Sequence, residues 1–245
     1  MEAEENVRRW TVPLCHLTSK PRFEWNGEPS VKDDQLTPET DEEQLVDEEQ
    51  HDDAVPLSVQ LPLEDDSIAT LRAGEWVLLS GPMISIGHEA GLHLLELLEQ
   101  GEPSPVPLEN TTIYFATPGH APIGAVLGSM APQYTNDFEA LIIHLLDRGA
   151  RCLIGRGPLS EEVVQRIKRK RGVYLVSVGG AGALLSRTVY QAQVTALEEL
   201  GREAIRSIKV EQFPAVVAMD GFGRNILQHH SSPPNLDDED NEELV

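Results

Sequence analysis

Cysteine is almost missing from this chain: Cys15 and Cys152 are the only two among 245 residues, and they do not form a CxxC. A zinc ribbon or a self-contained iron–sulfur site needs about four soft ligands, so this chain alone carries neither. Bases are also short, with 19 Lys and Arg against 41 Asp and Glu and a net charge of −22. Binding to phosphate backbones needs a concentrated basic surface, which argues against nucleic acid as the main partner. The one basic run, Arg166-Ile-Lys-Arg-Lys-Arg171, reads as the solvated C-terminal end of a helix. No apolar run approaches membrane-spanning length, and Glu2, Glu4 and Glu5 stand where a signal peptide would be basic. The expected setting is therefore a reducing cytoplasm, with no membrane partner. Walker lysine, GxSxG and HExxH patterns are absent too. Gly179-Gly-Ala-Gly lacks the acid that would hold a ribose, which excludes a dinucleotide site.

The acidity belongs to the ends. Residues 1–66 hold 19 acids and 5 bases, and residues 226–245 hold 6 acids and no base; the stretch 67–225 is nearly neutral, with 16 and 14. Residues 26–54 are expected to be disordered, because a highly charged segment with few apolar residues buries too little to fold. Residues 7–25 differ, since Trp10, Val12, Leu14, Leu17, Phe23 and Trp25 offer apolar surface; both a solvated tail and a docking arm remain open there.

The organised part centres on residues 113–157. A strand-like Ile113-Tyr-Phe opens into a loop holding Gly119, Gly124, Gly128, Pro118, Pro122 and Pro132, a composition that suits neither helix nor central strand. A helix is expected to start at Asn136, carried by Phe138, Leu141, Ile142, Leu145 and Leu146. The strand 152–155 then ends in a second glycine turn around Arg156. Two glycine turns at strand ends suggest an anion pocket built from backbone N–H groups.

Elsewhere order is expected to begin near Ile68, after an edge strand within 55–63 interrupted by Pro62. Strands are expected over 76–80, 111–116 and 173–178, with 81–87 as a glycine-bounded loop. Helices are expected over 88–100, with Leu92, Leu95 and Leu98 inward, over 160–171, and from Gly179 onward. Strand and helix alternate, which argues an α/β core with parallel pairing. Segments 191–197, 203–208 and 213–220 follow, and Asp220-Gly-Phe-Gly reads as the turn of a closing antiparallel hairpin.

Five motifs stand in a telling order. They are Leu-Ser-Gly at a strand end, Thr-Pro-Gly through Leu-Gly-Ser-Met-Ala-Pro, Ile-Gly-Arg-Gly-Pro-Leu-Ser-Glu-Glu-Val, Val-Gly-Gly-Ala-Gly-Ala-Leu-Leu, and Leu-Glu-Glu-Leu-Gly-Arg-Glu-Ala-Ile-Arg through Phe-Pro-Ala-Val-Val-Ala-Met-Asp. This set resembles the beta subunit, or C-terminal domain, of class I fumarate hydratase and L-tartrate dehydratase. The resemblance implies an α/β fold of the swivelling β/β/α type, with a mixed sheet and flanking helices, over residues 60–227. It leaves 1–59 as an acidic, largely disordered extension and 228–245 as an acidic tail expected to be disordered.

It also implies a chemistry, the reversible loss of water from a small hydroxy carboxylic acid. In the family that chemistry uses a 4Fe–4S cluster on an alpha part, so this chain is expected to bind no cofactor itself. It is expected to be inactive without an alpha-type hydro-lyase subunit, and a homo-oligomer is left open. The family's Gly-Lys-Gly turn falls at Gly155, Arg156 and Gly157. Its Thr-Thr-Ser-Gly-Arg run falls at Gln133, Tyr134, Thr135, Asn136 and Asp137, and its Thr-Ala-Arg-Asp-Ala-Ala-His run at Ser85 through Gly91. The resemblance thus implies Tyr134 and Thr135 as catalytic, and Arg156, Gln133, His88, Gly155 and Gly157 as substrate-binding, with no metal ligand. Two family arginines have become Gly87 and Asp137. Loss of both cations leaves an altered substrate, or a catalytically silent homologue serving as a binding or regulatory subunit. Read for itself, Arg156 fits a ligand group or a strand cap, Tyr134 packing or chemistry, and His88 and His120 the surface; Cys152 reads as core.

Overall fold

The computed structural model describes residues 55–177 and 180–227. Segments 26–54 and 228–245, expected to be disordered, and the apolar stretch 7–25 lie outside the described residues. The first elements are β1 (Leu57–Gln60), α1 (Asp65–Thr70), β2 (Trp76–Ile86), α2 (His88–Glu99) and β3 (Thr112–Phe115). After the long central loop come a 3-10 turn (Thr135–Phe138), α3 (Glu139–Asp147), β4 (Cys152–Gly155), α4 (Glu161–Lys170) and β5 (Val173–Val176). The chain then forms α5 (Gly182–Arg187), β6 (Val189–Ala196), a second 3-10 turn (Glu198–Glu203) and β7 (Ile205–Met219).

One mixed sheet runs β1-β2-β3-β4-β5-β7-β6, and an added β2–β7 pairing closes β2, β3, β4, β5 and β7 into a five-strand ring. Closure depends on the two long strands. The first half of β2 lies beside β1 and its second half beside β3, while β7 runs antiparallel to it throughout. Likewise β7 pairs first with β6 and later with β5.

Period-two alternation sorts the side chains. Ile113, Phe115, Leu153 and Tyr174 face an outer core under α2, α3 and α4. Tyr114, Cys152, Ile154, Val173 and Leu175 face an inner core shared with Leu79, Phe213 and Val217. Every residue of β3 and β4 is buried. That is why these strands read as unbroken apolar runs. The α/β reading with parallel pairing therefore holds, and the antiparallel part is larger than expected.

Five local expectations need correction. Residues 81–86 are not a loop but the second half of β2, reached through a bulge between Leu79 and Gly81. Pro82 is tolerated because it sits on β2 after the pairing with β1 stops at Ser80 and before the pairing with β3 begins at Ile84. Segments 203–208 and 213–220 are largely one strand, β7. The break between them is a kink at Gln212, whose φ is +55° and whose N–H donates to Ser80 Oγ at 3.0 Å. The Asp220 turn does not join two strands. Asp220 N–H bonds Arg224 C=O at 3.1 Å, and Met219 and Asn225 form an isolated bridge. In α2 the buried positions are Ala90, Gly91, Leu94 and Leu98, while Leu92 is exposed. The Phe138 ring fixes that rotation, since a Cβ at Gly91 would lie 2.9 Å from it. Order also starts ahead of Ile68, with β1 and α1. Among the described residues no helix is long and apolar enough to cross a membrane.

Candidate functional site

The site forms where β2, β3 and β4 end and their following segments converge. Residues 133–135 lie against the turn after β4, and Tyr134 bridges Arg156 in parallel. Arg156 N–H donates to Gln133 C=O at 3.2 Å, and Thr135 N–H returns a bond to Arg156 C=O at 3.0 Å. Gln133 N–H is fixed in turn to Phe115 C=O at 2.8 Å, at the end of β3. The central loop is tied down further back, where the Tyr114 hydroxyl donates to Met130 C=O at 2.6 Å.

Close approach requires the two glycines. A Cβ on Gly155 would collide with Thr135 Oγ1. Gly157 has φ +87°, and a Cβ there would stand 3.2 Å from the Tyr134 ring. Arg156 N–H, one of the backbone donors expected to form an anion pocket, is spent on this stitching.

The structure brings most of the expected residues together. His88, Gln133, Tyr134, Asp137 and Arg156 line one open depression of about 440 Å³, floored by Pro132 and Phe138. The Arg156 guanidinium lies over the Tyr134 ring, 3.8 Å from its centre, in cation–π contact. Its Nε is buried without a protein partner among the described residues. Tyr134 is half exposed and His88 is exposed, the latter edge-on to Phe138 at 5.9 Å. His120 lies on the exposed part of the central loop, apart from these residues.

Thr135 is different. It is fully buried, and its Oγ1 bonds the Tyr174 hydroxyl at 2.8 Å and accepts from Arg156 N–H at 3.1 Å. Tyr174 also donates to Gly157 C=O at 2.9 Å. Burial pushes the Tyr174 phenol well above its ordinary value, with the Thr135 bond acting in the opposite direction. Tyr174 was not among the expected residues; it anchors both glycine-turn strands and would not stand out in sequence from any other strand tyrosine.

Glu203 was missed as well. Its Oε2 is buried with no hydrogen-bond partner among the described residues, beside Gly87 and Thr117. Gln133 Nε2 donates to Thr117 Oγ1 at 3.2 Å, which links this carboxylate to the inner wall of the depression. The signal was present in Leu-Gly-Arg-Glu, one of the ordered motifs. Among the described residues no group of three or more His, Cys, Asp or Glu is placed to hold a metal ion.

Comparison with known proteins decides the family. The model of the Fumarase C-terminus family matches residues 30–230. This chain belongs to that family. Among members, a putative L(+)-tartrate dehydratase subunit beta from Methanocaldococcus jannaschii is 30% identical over 174 residues, covering 68% of this chain and 88% of that protein. The aerobic class I fumarate hydratase of Salmonella typhimurium is 31% identical over 184 residues, 74% of this chain and 32% of that enzyme. Fumarate hydratase 2 of Leishmania major is 28% identical over 177 residues, 71% of this chain and 31% of that enzyme. The chain thus spans about a third of the fumarate hydratases it matches, whereas it covers most of the beta subunit. The Fumarase C-terminus family is one of hydro-lyases, and its members include both the beta subunit and the longer enzymes.

Proposed function

We propose that this chain is the beta-type part of a two-part hydro-lyase, which removes water reversibly from a small hydroxy acid together with a separate alpha-type subunit. One observation carries the reading. A forked cation, Arg156, is held by a backbone ladder in an open depression with unclaimed donors. Such a fork matches a carboxylate bidentately. Tyr134 offers a hydroxyl at the same rim, and His88 and Gln133 complete the wall. Thr135 serves as a positioning residue, because its hydroxyl is committed to Tyr174 and Arg156. Match to a stand-alone beta subunit over 88% of its length supports the two-part arrangement.

The family resemblance implies a 4Fe–4S cluster, whose chemistry is Lewis-acid activation of the departing hydroxyl. The described residues do not fit it. Cys152 is the one cysteine among them, lies in the inner core, and burial pushes its thiol up to about 12. On this reading the cluster belongs to the alpha part.

Asp137 on the rim favours a second reading. An acid there repels a second carboxylate, which fits an altered substrate or a silent binding subunit. Co-expression with an alpha-type subunit from the same genome separates the two. Hydro-lyase activity on a hydroxy acid that disappears in Arg156→Ala supports the enzyme. A stable complex inactive on every hydroxy acid tried supports the silent subunit. Activity of the lone chain would overturn both.

A further inference from the structure

A second cavity lies away from this depression, between α1, the residue preceding β4 and the turn after β7. It measures about 300 Å³ and is lined by Asp65, Ile68, Ala69, Arg151, Arg171 and Phe222, among others. That volume is at the lower end for small-molecule sites. Arg151 immediately precedes β4 and Arg156 immediately follows it, so roughly 16 Å of extended chain separates the two arginines. The two sites share no lining residue.

Its charges are unbalanced in a chain that is otherwise acidic. Two guanidinium groups face one carboxylate. Arg151 NH2 donates to Asp65 Oδ1 at 2.6 Å, but Asp65 is 84% exposed and water competes for it. Arg151 Nε is buried without a partner among the described residues, an arrangement that a ligand acceptor would relieve. The Arg171 guanidinium also has no protein partner among the described residues, and the residue holds a left-handed φ of +51° at the C-terminus of α4.

The remaining wall is apolar. Ile68 is buried at the back, and the Phe222 ring is 56% exposed, although aromatic rings normally gain by being covered. Arg72 stands 5.0 Å from the centre of that ring and adds a third positive charge nearby.

We infer that this cavity is a ligand site for a small organic oxyanion, a carboxylate or phosphate borne on a flat apolar body. Arg151 and Arg171 take the oxyanion, and Phe222 with Ile68 covers the body. Asp65 competes with the ligand for Arg151 and tunes its affinity. This inference does not depend on the hydro-lyase reading.

The test uses the full-length chain, with calorimetry and amide-shift mapping against phenyl phosphate, benzoate, inorganic phosphate and benzyl alcohol. Phenyl phosphate and benzoate should bind saturably at millimolar concentration or below, with inorganic phosphate about tenfold weaker and benzyl alcohol not binding. Arg171→Gln should weaken phenyl phosphate by about tenfold or more, since it removes a charged donor. Asp65→Asn should tighten it severalfold by freeing Arg151. Phe222→Ala should weaken phenyl phosphate while leaving inorganic phosphate unchanged. Arg169→Gln, on the same helix but outside the cavity, should change nothing. No saturable binding, equal affinity for inorganic and phenyl phosphate, an equal effect from Arg169→Gln, or weaker binding in Asp65→Asn would each overturn the inference.

Discussion

The Arg156 guanidinium sits 3.8 Å from the centre of the Tyr134 ring, and the two residues are also bridged through their backbones. The side chain is therefore pre-set rather than free to sweep, and less ordering entropy is lost when it engages a carboxylate. With an alpha-type subunit present, Arg156→Ala is expected to reduce kcat/KM by at least about 100-fold. Arg156→Lys should lose about tenfold or more, because a point charge cannot fork or stack. Steady-state kinetics on the complex checks both. Equal activity of wild type and Arg156→Lys would show that the fork is not used.

Thr135 gives a prediction about stability rather than rate. Thr135→Val keeps the shape but removes the oxygen shared by Arg156 N–H and the Tyr174 hydroxyl, which keep only Gln133 C=O and Gly157 C=O. Losing two such bonds costs about 1–3 kcal/mol in all, at about 0.5–1.5 kcal/mol each. At about 2–4 °C per kcal/mol for a domain of this size, calorimetry should find Tm lowered by several degrees. Thr135→Ser, which retains the oxygen, should recover most of the loss.

How far these features were legible follows from their physics. β4 was readable to the residue, because Cys152, Leu153 and Ile154 are buried on both faces and Gly155 and Gly157 bracket the turn. The position of Arg156 at that turn was legible for the same reason. Residues 81–86 were misread because glycine and proline normally punctuate, whereas here they mark the point where β2 changes neighbours. Glu203 stands in the Leu-Gly-Arg-Glu motif but was not singled out, because its place beside Gly87 depends on β7 crossing β2, a contact between segments over a hundred residues apart. Thr135 reads in sequence as a catalytic hydroxyl, and sequence could not reveal that this hydroxyl is turned toward Tyr174.

Asp220 controls a pH-dependent part of the stability. Burial pushes its pKa up, but donors from Arg224, Ala73 and Phe222 together outweigh this and hold the carboxyl below its usual value. A folded-state pKa below the unfolded value adds stability that is fully present above about pH 4 and is lost as pH falls through the folded value. Asp220→Asn should therefore be less stable than wild type by about 2 kcal/mol at neutral pH. Urea titrations across acid pH should show that gap narrowing only below about pH 4. A gap independent of pH would mean that the charge contributes nothing.

Cys152 should be chemically silent in the native state. Its thiol is buried in the inner core and its pKa is pushed up to about 12 by that burial, the neighbouring Thr112 hydroxyl acting in the opposite direction. Only the thiolate reacts, and almost none exists at pH 8. Peptide mapping after iodoacetamide treatment should find the Cys152 peptide unmodified in the folded chain and modified in denaturant.

Two glycines separate a soft contact from a hard one. A Cβ on Gly87 would meet Glu203 Oε2, the far end of a flexible side chain, and Thr117 Oγ1, which Gln133 Nε2 holds, while the extended backbone there accepts any residue. A Cβ on Gly128 would meet the carbonyls of His120 and Gly119, which are backbone and belong to the anchored central loop. Gly87→Ala should thus cost less than about 1 kcal/mol, and Gly128→Ala about 3 kcal/mol or more, in line with overpacking against a rigid wall. Thermal melts of the two variants make the comparison directly. A large loss in Gly87→Ala would show that Glu203 is held in place by something stronger than the contacts around it, and that its unpaired oxygen cannot turn to meet a ligand.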